Sequence, residues 1–183
     1  MYLDLCRKAV EVGLKLGATE IEASLIFERT VSSEIERGQI KGCSDMHDGG
    51  IGVRAIVDKK VGFAYTNNFT VESVLEAVNS AVKAAKASLK DEKWKSLPEP
   101  KSYPSPANVY DERIASLPAE KAVEICQEAI NAALDYSRNV LPAFGETTFS
   151  IGELAIINSQ GIEVQDKFTS CLLYTSDAAD DGE

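Results

Sequence analysis

The sequence has few of the nitrogen and sulfur side chains that most often bind zinc. It contains one histidine, and its four cysteines are spread over 183 residues as Cys6, Cys43, Cys126 and Cys171. A structural zinc site takes four nitrogen or sulfur ligands, and a catalytic zinc typically takes three protein ligands with a general base nearby. With no Cys-x-x-Cys pair and no second histidine, we expect no metal, cofactor-binding or catalytic residue in this chain. The scattered thiols also argue against a disulfide scaffold.

Long apolar runs and an excess of basic charge are also absent. No segment approaches the roughly 18 consecutive apolar residues that a membrane span needs, and no basic N-terminal region precedes an apolar stretch. The sequence has 19 Lys and Arg against 29 Asp and Glu, a formal charge of −10. Nucleic-acid affinity depends mainly on cationic contacts to phosphate. We therefore expect a cytoplasmic protein that binds neither membrane nor nucleic acid.

Catalysis by a nucleophile or by paired carboxylates has little support. There is no G-x-S-x-G motif, and the single histidine leaves little basis for a Ser or Cys triad. Glu22, Glu34 and Glu36 fall on the outward side of predicted strands, where carboxylates are usually only solvated. His47 lies within the polar segment Asp45–Asp48. We interpret it as a solvated loop histidine and not as a metal ligand.

One glycine motif invites a nucleotide-binding interpretation. Residues Gly50–Ala55 match G-x-G-x-x-A. That fingerprint binds a dinucleotide only when a strand precedes it and a helix begins inside it. Here the preceding segment Cys43–Asp48 is predicted to be a polar loop, and the following residues alternate as in a strand. The glycines are therefore expected to permit a bulge or close packing between strands.

Hydrophobic spacing predicts the first half of the fold. Leu5, Ala9, Val12 and Leu16 lie on one face of a helix. Alternating residues predict a strand from Ile21 that resumes over Val31–Ile35, and then a hairpin of Ile51–Val57 with Val61–Tyr65. Thr70 is a good N-cap for a second helix. Its predicted buried stripe is Val71, Val74, Leu75, Val78, Val82 and Ala85.

The second half begins with four prolines, Pro98, Pro100, Pro104 and Pro106, which predict an extended connection. A packed arm is favoured over a linker because Trp94, Leu97 and Tyr103 are large and apolar. A helix is predicted from Ser116 and Pro118, with a buried face of Val123, Cys126, Ile130, Ala133 and Leu134. A second hairpin follows, with strands near 149–157 and 162–168 and a turn at 158–161.

This order of elements predicts an α+β fold with a mainly antiparallel sheet flanked by helices. We predict a helix–strands–helix lobe at 1–90 and a Pro-rich connecting arm at 91–115. A helix–hairpin portion follows at 116–170. The strands near 21–36 and 162–170 are expected to leave sheet edges open to an extended peptide or a partner.

The last thirteen residues, 171–183, break the alternation set by Ile162 and Val164. They resemble the translation of a sequencing adapter, and we predict that they are a non-native tail outside the fold. A genuine acidic tail is the alternative. We expect the chain to be a piece of a longer protein.

Three segments resemble the TldD/PmbA family. The first is Leu14–Ala23, and the second is Asp48–Ala55 followed by Val61–Thr66. The glycine-rich G-[IV]-R strand with its G-F-A-Y return is the most specific part. The third, Gly152–Ile162, matches the family's N-S-x-G hairpin. The resemblance covers roughly residues 3–170.

The resemblance implies a cytoplasmic protein that assembles with a related subunit of the same family and acts in the proteolysis of small or unfolded peptides. The TldD type carries a zinc-peptidase helix, His-Glu-x-x-x-His, and the PmbA or TldE type lacks it. That helix lies downstream of the N-terminal domain. Zinc is therefore expected in the assembled peptidase, bound downstream or by the partner, with no catalytic residue here.

Three hypotheses stay open. The chain is the N-terminal domain of the catalytic subunit, or that of the non-catalytic partner, or an unrelated binding domain. The Pro-rich arm leading into Val109-Tyr110-Asp111 favours the PmbA type. A non-catalytic assembly or interaction domain with no enzymatic role is the alternative function.

Overall fold

The computed structural model describes residues 2–103, 106–137 and 139–176. Its elements are α1 Tyr2–Lys15, β1 Glu20–Glu36, β2 Gln39–Val57, β3 Lys60–Thr66, α2 Val71–Ala87, α3 Glu112–Ala115, α4 Glu120–Tyr136, β4 Phe144–Asn158 and β5 Glu163–Ser176. The predicted α+β class, an antiparallel sheet flanked by helices, is confirmed.

The five strands form one sheet in the order β3-β2-β1-β4-β5. The turns β1–β2 and β2–β3 each place two residues at positive φ: Arg37 at 52° and Gly38 at 69°, then Asp58 at 50° and Lys59 at 67°. This is the backbone of two-residue turns that match the strand twist. The expectation of an open edge at residues 21–36 is wrong, because β1 lies between β2 and β4.

The chain divides into two compact units that interleave along the sequence. The first unit comprises residues 1–27, 48–106 and 153–166, and the second comprises 28–47, 107–152 and 167–183. The units interleave because β1, β2, β4 and β5 each contribute residues to both. The consecutive lobes proposed from the sequence stay a prediction.

In the first unit, α1 and α2 bury one face of the sheet. Ile21, Ala23 and Leu25 of β1 alternate with exposed or half-buried residues and enter this core. The predicted face of α2 needs correction. Val71 is exposed, and the small side chains of Ala77 and Ala81 are buried. Alanines on the core face reduce the side-chain bulk between helix and sheet, so α2 packs close to the strands.

In the second unit, α4 packs on the sheet through Ala122, Cys126 and Ile130. The predicted helix start at Ser116 is too early, because the short α3 ends at Ala115 and α4 begins at Glu120. The predicted face also differs, since Leu134 is 41% exposed. Helical periodicity alone did not show that the buried residue is Ala122 and not its larger neighbour Val123.

The proline-containing segment up to residue 106 belongs to the first unit and packs within it, as expected for an arm. Leu97 is 1% exposed. The carboxylate of Glu20 accepts hydrogen bonds from the Leu97 amide and, at 3.4 Å, from Trp94 Nε1. Tyr103 remains 53% exposed. Pro104 and Ser105 lie outside the described residues.

The suspected tail continues a strand over part of its length. β5 runs to Ser176, and the Phe144 and Tyr174 rings lie 6.3 Å apart. Side chains 171–175 are all exposed, so this extension contributes nothing to a core. Residues 177–183 lie outside the described part. The non-native origin of the tail stays a prediction.

Candidate functional site: an apolar groove on the open sheet face

The sheet face opposite α1 and α2 in the first unit carries an apolar groove. Because strand side chains alternate, the residues that face away from the core line it. The groove has a volume of about 610 Å³, and its lining comes from β1, β2, β3 and β4. Ile26, Phe63, Tyr65, Leu154 and Ile156 supply its large apolar side chains.

Two glycines form the floor of this groove. Gly52 pairs with Tyr65 across β2 and β3. A Cβ atom on Gly52 would lie 3.2 Å from Phe63 Cζ, and one on Gly50 would lie 2.7 Å from the Thr66 carbonyl oxygen. Glycine therefore leaves room for the aromatic ring to lie over the strand. This is the packing role expected for the glycine motif.

A second depression continues the same face. It has a volume of about 310 Å³ and is lined by Glu22, Pro98, Tyr103, Ile156, Ile162 and Val164. Ile156 lines both depressions. We call the exposed apolar side chains of this face the apolar strip: Ile26, Phe63, Tyr65, Leu154, Ile156 and Val164.

Charged groups near the strip are already engaged. Arg54 Nη2 donates to Glu22 Oε1 at 2.8 Å, and the Arg54 guanidinium lies 5.9 Å from the centre of the Trp94 ring. Asp48 Oδ1 accepts a 2.8 Å hydrogen bond from the Gly49 amide. The arrangement suits contact with an apolar surface, and it offers no nucleophile paired with a base.

The structure gives the predicted loop histidine different surroundings. Cys43–Asp48, expected to be a loop, belongs to the exposed part of β2. His47 Nε2 lies 3.6 Å from Asp45 Oδ1, and Arg29 donates to both Asp45 oxygens at 2.9 and 2.7 Å. The Arg29 hydrogen bonds lower the pKa of Asp45 below its usual value. Asp45 is thus held as an ion pair with an arginine.

The nucleotide interpretation is excluded by the same strand. β2 runs through Gly50 and Gly52 to Val57, with no helix beginning inside the motif. The helix N-terminus that would bind a pyrophosphate is therefore missing. Rejection of the dinucleotide fingerprint is confirmed.

The remaining candidate residues lie in a surface ion pair or are separate thiols. Lys41 Nζ lies 3.6 Å from Glu34 and 3.3 Å from Glu36. Burial raises the pKa of the Cys6 thiol to about 11, and it also raises that of Cys43. Both changes favour the protonated, unreactive thiol.

The described residues do not fit the zinc site that a peptidase needs. Across 2–103, 106–137 and 139–176, no group of three or more His, Cys, Asp or Glu side chains is arranged to hold a metal. In the same part of the chain, no helix is long and apolar enough to cross a membrane.

The apolar strip was missed at the sequence level, although a signal existed. Leu154–Ile157 is a continuous apolar run, and such strands are typically covered on both faces. Ala155 and Ile157 enter the core, whereas Leu154 and Ile156 face the groove. The two-sided pattern therefore indicated a second apolar surface.

Comparison with known proteins places the fold in a family. The residues 22–85 match the model of PmbA/TldA metallopeptidase domain 1, and residues 112–183 match that of the PmbA/TldA metallopeptidase central domain. The two matches cover most of the chain. It therefore belongs to the PmbA/TldD family, as the resemblance implied.

Particular relatives agree with this assignment. The structure of TldE from Thermococcus kodakarensis superposes with a TM-score of 0.86 at 27% identity, covering 93% of this chain and 38% of that one. Protein MJ0231 of Methanocaldococcus jannaschii is 29% identical over 162 residues, 88% of this chain and 36% of the relative. TM0727 of Thermotoga maritima shares the fold, with a TM-score of 0.77 at 17% identity, over 96% of this chain and 39% of that chain. The chain thus spans less than two fifths of these relatives.

Proposed function

We propose that this chain is the N-terminal part of a TldD/PmbA-type metallopeptidase subunit that acts on small or unfolded peptides. Its own role is assembly and the lining of a substrate cavity. The observation that carries the proposal is the match to two consecutive domains of the family on a chain whose described residues hold no metal cluster. Zinc would be bound downstream or by a related partner subunit, in the cytoplasm.

The PmbA or TldE type is favoured over the catalytic TldD type. The similarity to TldE of Thermococcus kodakarensis, at a TM-score of 0.86, supports this choice, as does the Pro-rich arm before Val109. The downstream part of the parent gene separates the alternatives. A His-Glu-x-x-x-His helix selects the catalytic type, and a family-like domain without it selects the PmbA type.

The proposal predicts that this chain alone does not hydrolyse peptides. Metal-assisted hydrolysis needs an activated water, a general base and ligands held in fixed geometry, and the described residues do not provide this set. The assay is turnover of a fluorogenic peptide library with added zinc. It compares the chain, the full-length protein and the full-length protein mixed with its related subunit.

We expect turnover only in samples that contain the catalytic subunit. The matched control is His47→Ala in the chain, which should leave the background signal unchanged. Metal-dependent turnover by the chain alone, abolished by His47→Ala, would place an active site here. Inactivity of the mixed full-length subunits on every peptide would instead reject the proposed peptidase role.

A further inference from the structure

The apolar strip is a set of large apolar side chains that stay exposed on one face of the sheet. Its six side chains are exposed by 49% at Ile26, 60% at Phe63, 75% at Tyr65, 42% at Leu154, 44% at Ile156 and 42% at Val164. They share one face of the sheet in the first unit. Contiguous apolar patches of this kind mark contact surfaces, whereas scattered exposed apolar residues are ordinary.

The shape of the strip suits a packed protein surface. The Gly50 and Gly52 floor lies between the aromatic side chains of β3 and the aliphatic ones of β4. Side chains of a covering layer can enter this depression and reach close to the backbone of β2. The engaged charges of Glu22 and Arg54 lie beside the strip and can remain paired during such contact.

We propose that the apolar strip is the docking surface for the downstream portion of the full-length protein, the part beyond the central domain. This inference rests on the proposed function in one respect, that the chain is the N-terminal part of a longer protein. The matched family models are a first and a central domain. The chain covers 38% of the TldE structure, so the other 62% of that structure has no counterpart in this chain. On the premise of the proposed function, a comparable length of polypeptide would be available to cover the strip.

Two physical arguments favour this occupant over a second copy of the chain. Two identical copies would each bring a net negative charge, formally −10 over the whole sequence and −6 without residues 171–183, which opposes their association at low salt. A downstream domain on the same chain is tethered, so its effective concentration is in the millimolar range for a short flexible link. A contact within one chain also does not require the groove to fit the same groove of a second copy across a twofold axis.

The test is hydroxyl-radical footprinting of the 183-residue chain and of the full-length protein recovered from the source DNA. Oxidation rates are read by peptide mass spectrometry at Phe63 and Tyr65, with no substitution that risks misfolding. Tyr136 at the end of α4 is the internal control because it is 86% exposed and belongs to the second unit, whereas the strip belongs to the first. We expect a several-fold loss of oxidation at Phe63 and Tyr65 in the full-length protein only, independent of its concentration.

Other outcomes overturn the proposal. Equal oxidation of Phe63 and Tyr65 in both proteins would show that nothing downstream covers the strip. Protection that grows with concentration, or appears only with the related subunit, would assign the strip to an intermolecular contact. The peptidase assay tests the proposed function independently of the footprinting experiment. Protection without turnover rejects the peptidase role alone, and turnover without protection rejects this docking alone.

Discussion

At the scale of single residues, Gly62 controls how closely β3 approaches α2. A Cβ atom at Gly62 would overlap the backbone at Ala81 and Ala85 of the helix. Backbone atoms of a helix cannot rotate away as a flexible side chain can. The small side chains of α2 and this glycine therefore act together to bring helix and strand into close contact.

Gly62→Ala should destabilise the fold by about 3 kcal/mol, because overpacked sites cost 1–3 kcal/mol and here the added methyl meets backbone. Gly42→Ala is the matched control. It is also a strand glycine, and its added Cβ meets nothing within 4 Å. The measurement is urea unfolding of both variants beside the parent chain. Equal stability of the two variants would show that β3 and α2 are not in close contact.

At the scale of elements, Asn158 holds the β4–β5 turn and joins it to the arm. Its Oδ1 accepts from the Gln160 and Ile162 amides at 3.0 Å, and its Nδ2 donates to the Pro98 carbonyl at 2.9 Å. The residue is 3% exposed. One buried side chain thus satisfies three backbone groups in two segments.

Asn158→Ala should lower the free energy of unfolding by about 2–4 kcal/mol, since each buried group left unsatisfied costs about 1–3 kcal/mol. Asn131→Ala is the control, because Asn131 lies on the exposed side of α4 and bonds only to Gln127 Nε2 among the contacts described. Thermal unfolding followed by circular dichroism measures both. A loss no larger for Asn158 than for Asn131 would contradict the role of this turn.

At the scale of the whole molecule, exposed apolar side chains and ion-paired carboxylates are the two main surface features of the described residues. The described residues combine an apolar strip in the first unit with carboxylates that are paired to cations, such as Asp45, Glu22 and Glu34. Paired carboxylates are poor starting points for a metal site, because a cation must displace the arginine or lysine. This distribution of side chains supports the proposed assembly role.

The 183-residue chain should bind zinc weakly, with no stoichiometric site of sub-micromolar affinity. It has one imidazole, and no described cluster supplies three ligands. Isothermal titration calorimetry with zinc chloride at pH 7 is the measurement. His47→Ala and Cys43→Ser should leave any residual heat unchanged. A tight zinc site removed by either substitution would contradict both the proposed role and the interpretation that His47 and Cys43 are not metal ligands.

The sequence predicted the strands that form part of the candidate site. Alternation in Ile51–Val57 and the return Val61–Tyr65 predicted the β2–β3 hairpin, and the structure pairs Val53 with Ala64 and Gly52 with Tyr65. The exposed apolar character of that face was not anticipated. Alternation shows which residues share a face, but it does not show which face a helix covers.

The sequence by itself determined the α+β class, the hairpins and the family, because local periodicity, turn residues and short motifs carry that information. It favoured a packed arm over a linker without deciding between them. Only the tertiary structure decided that β1 is central and that residues 43–48 extend a strand. The same holds for the pairing of Asp45 with Arg29 and for the exposure of Ile26, Leu154 and Ile156 on one strip. These features arise from contacts between different strands and between strands and helices, and no local pattern specifies which of these segments meet.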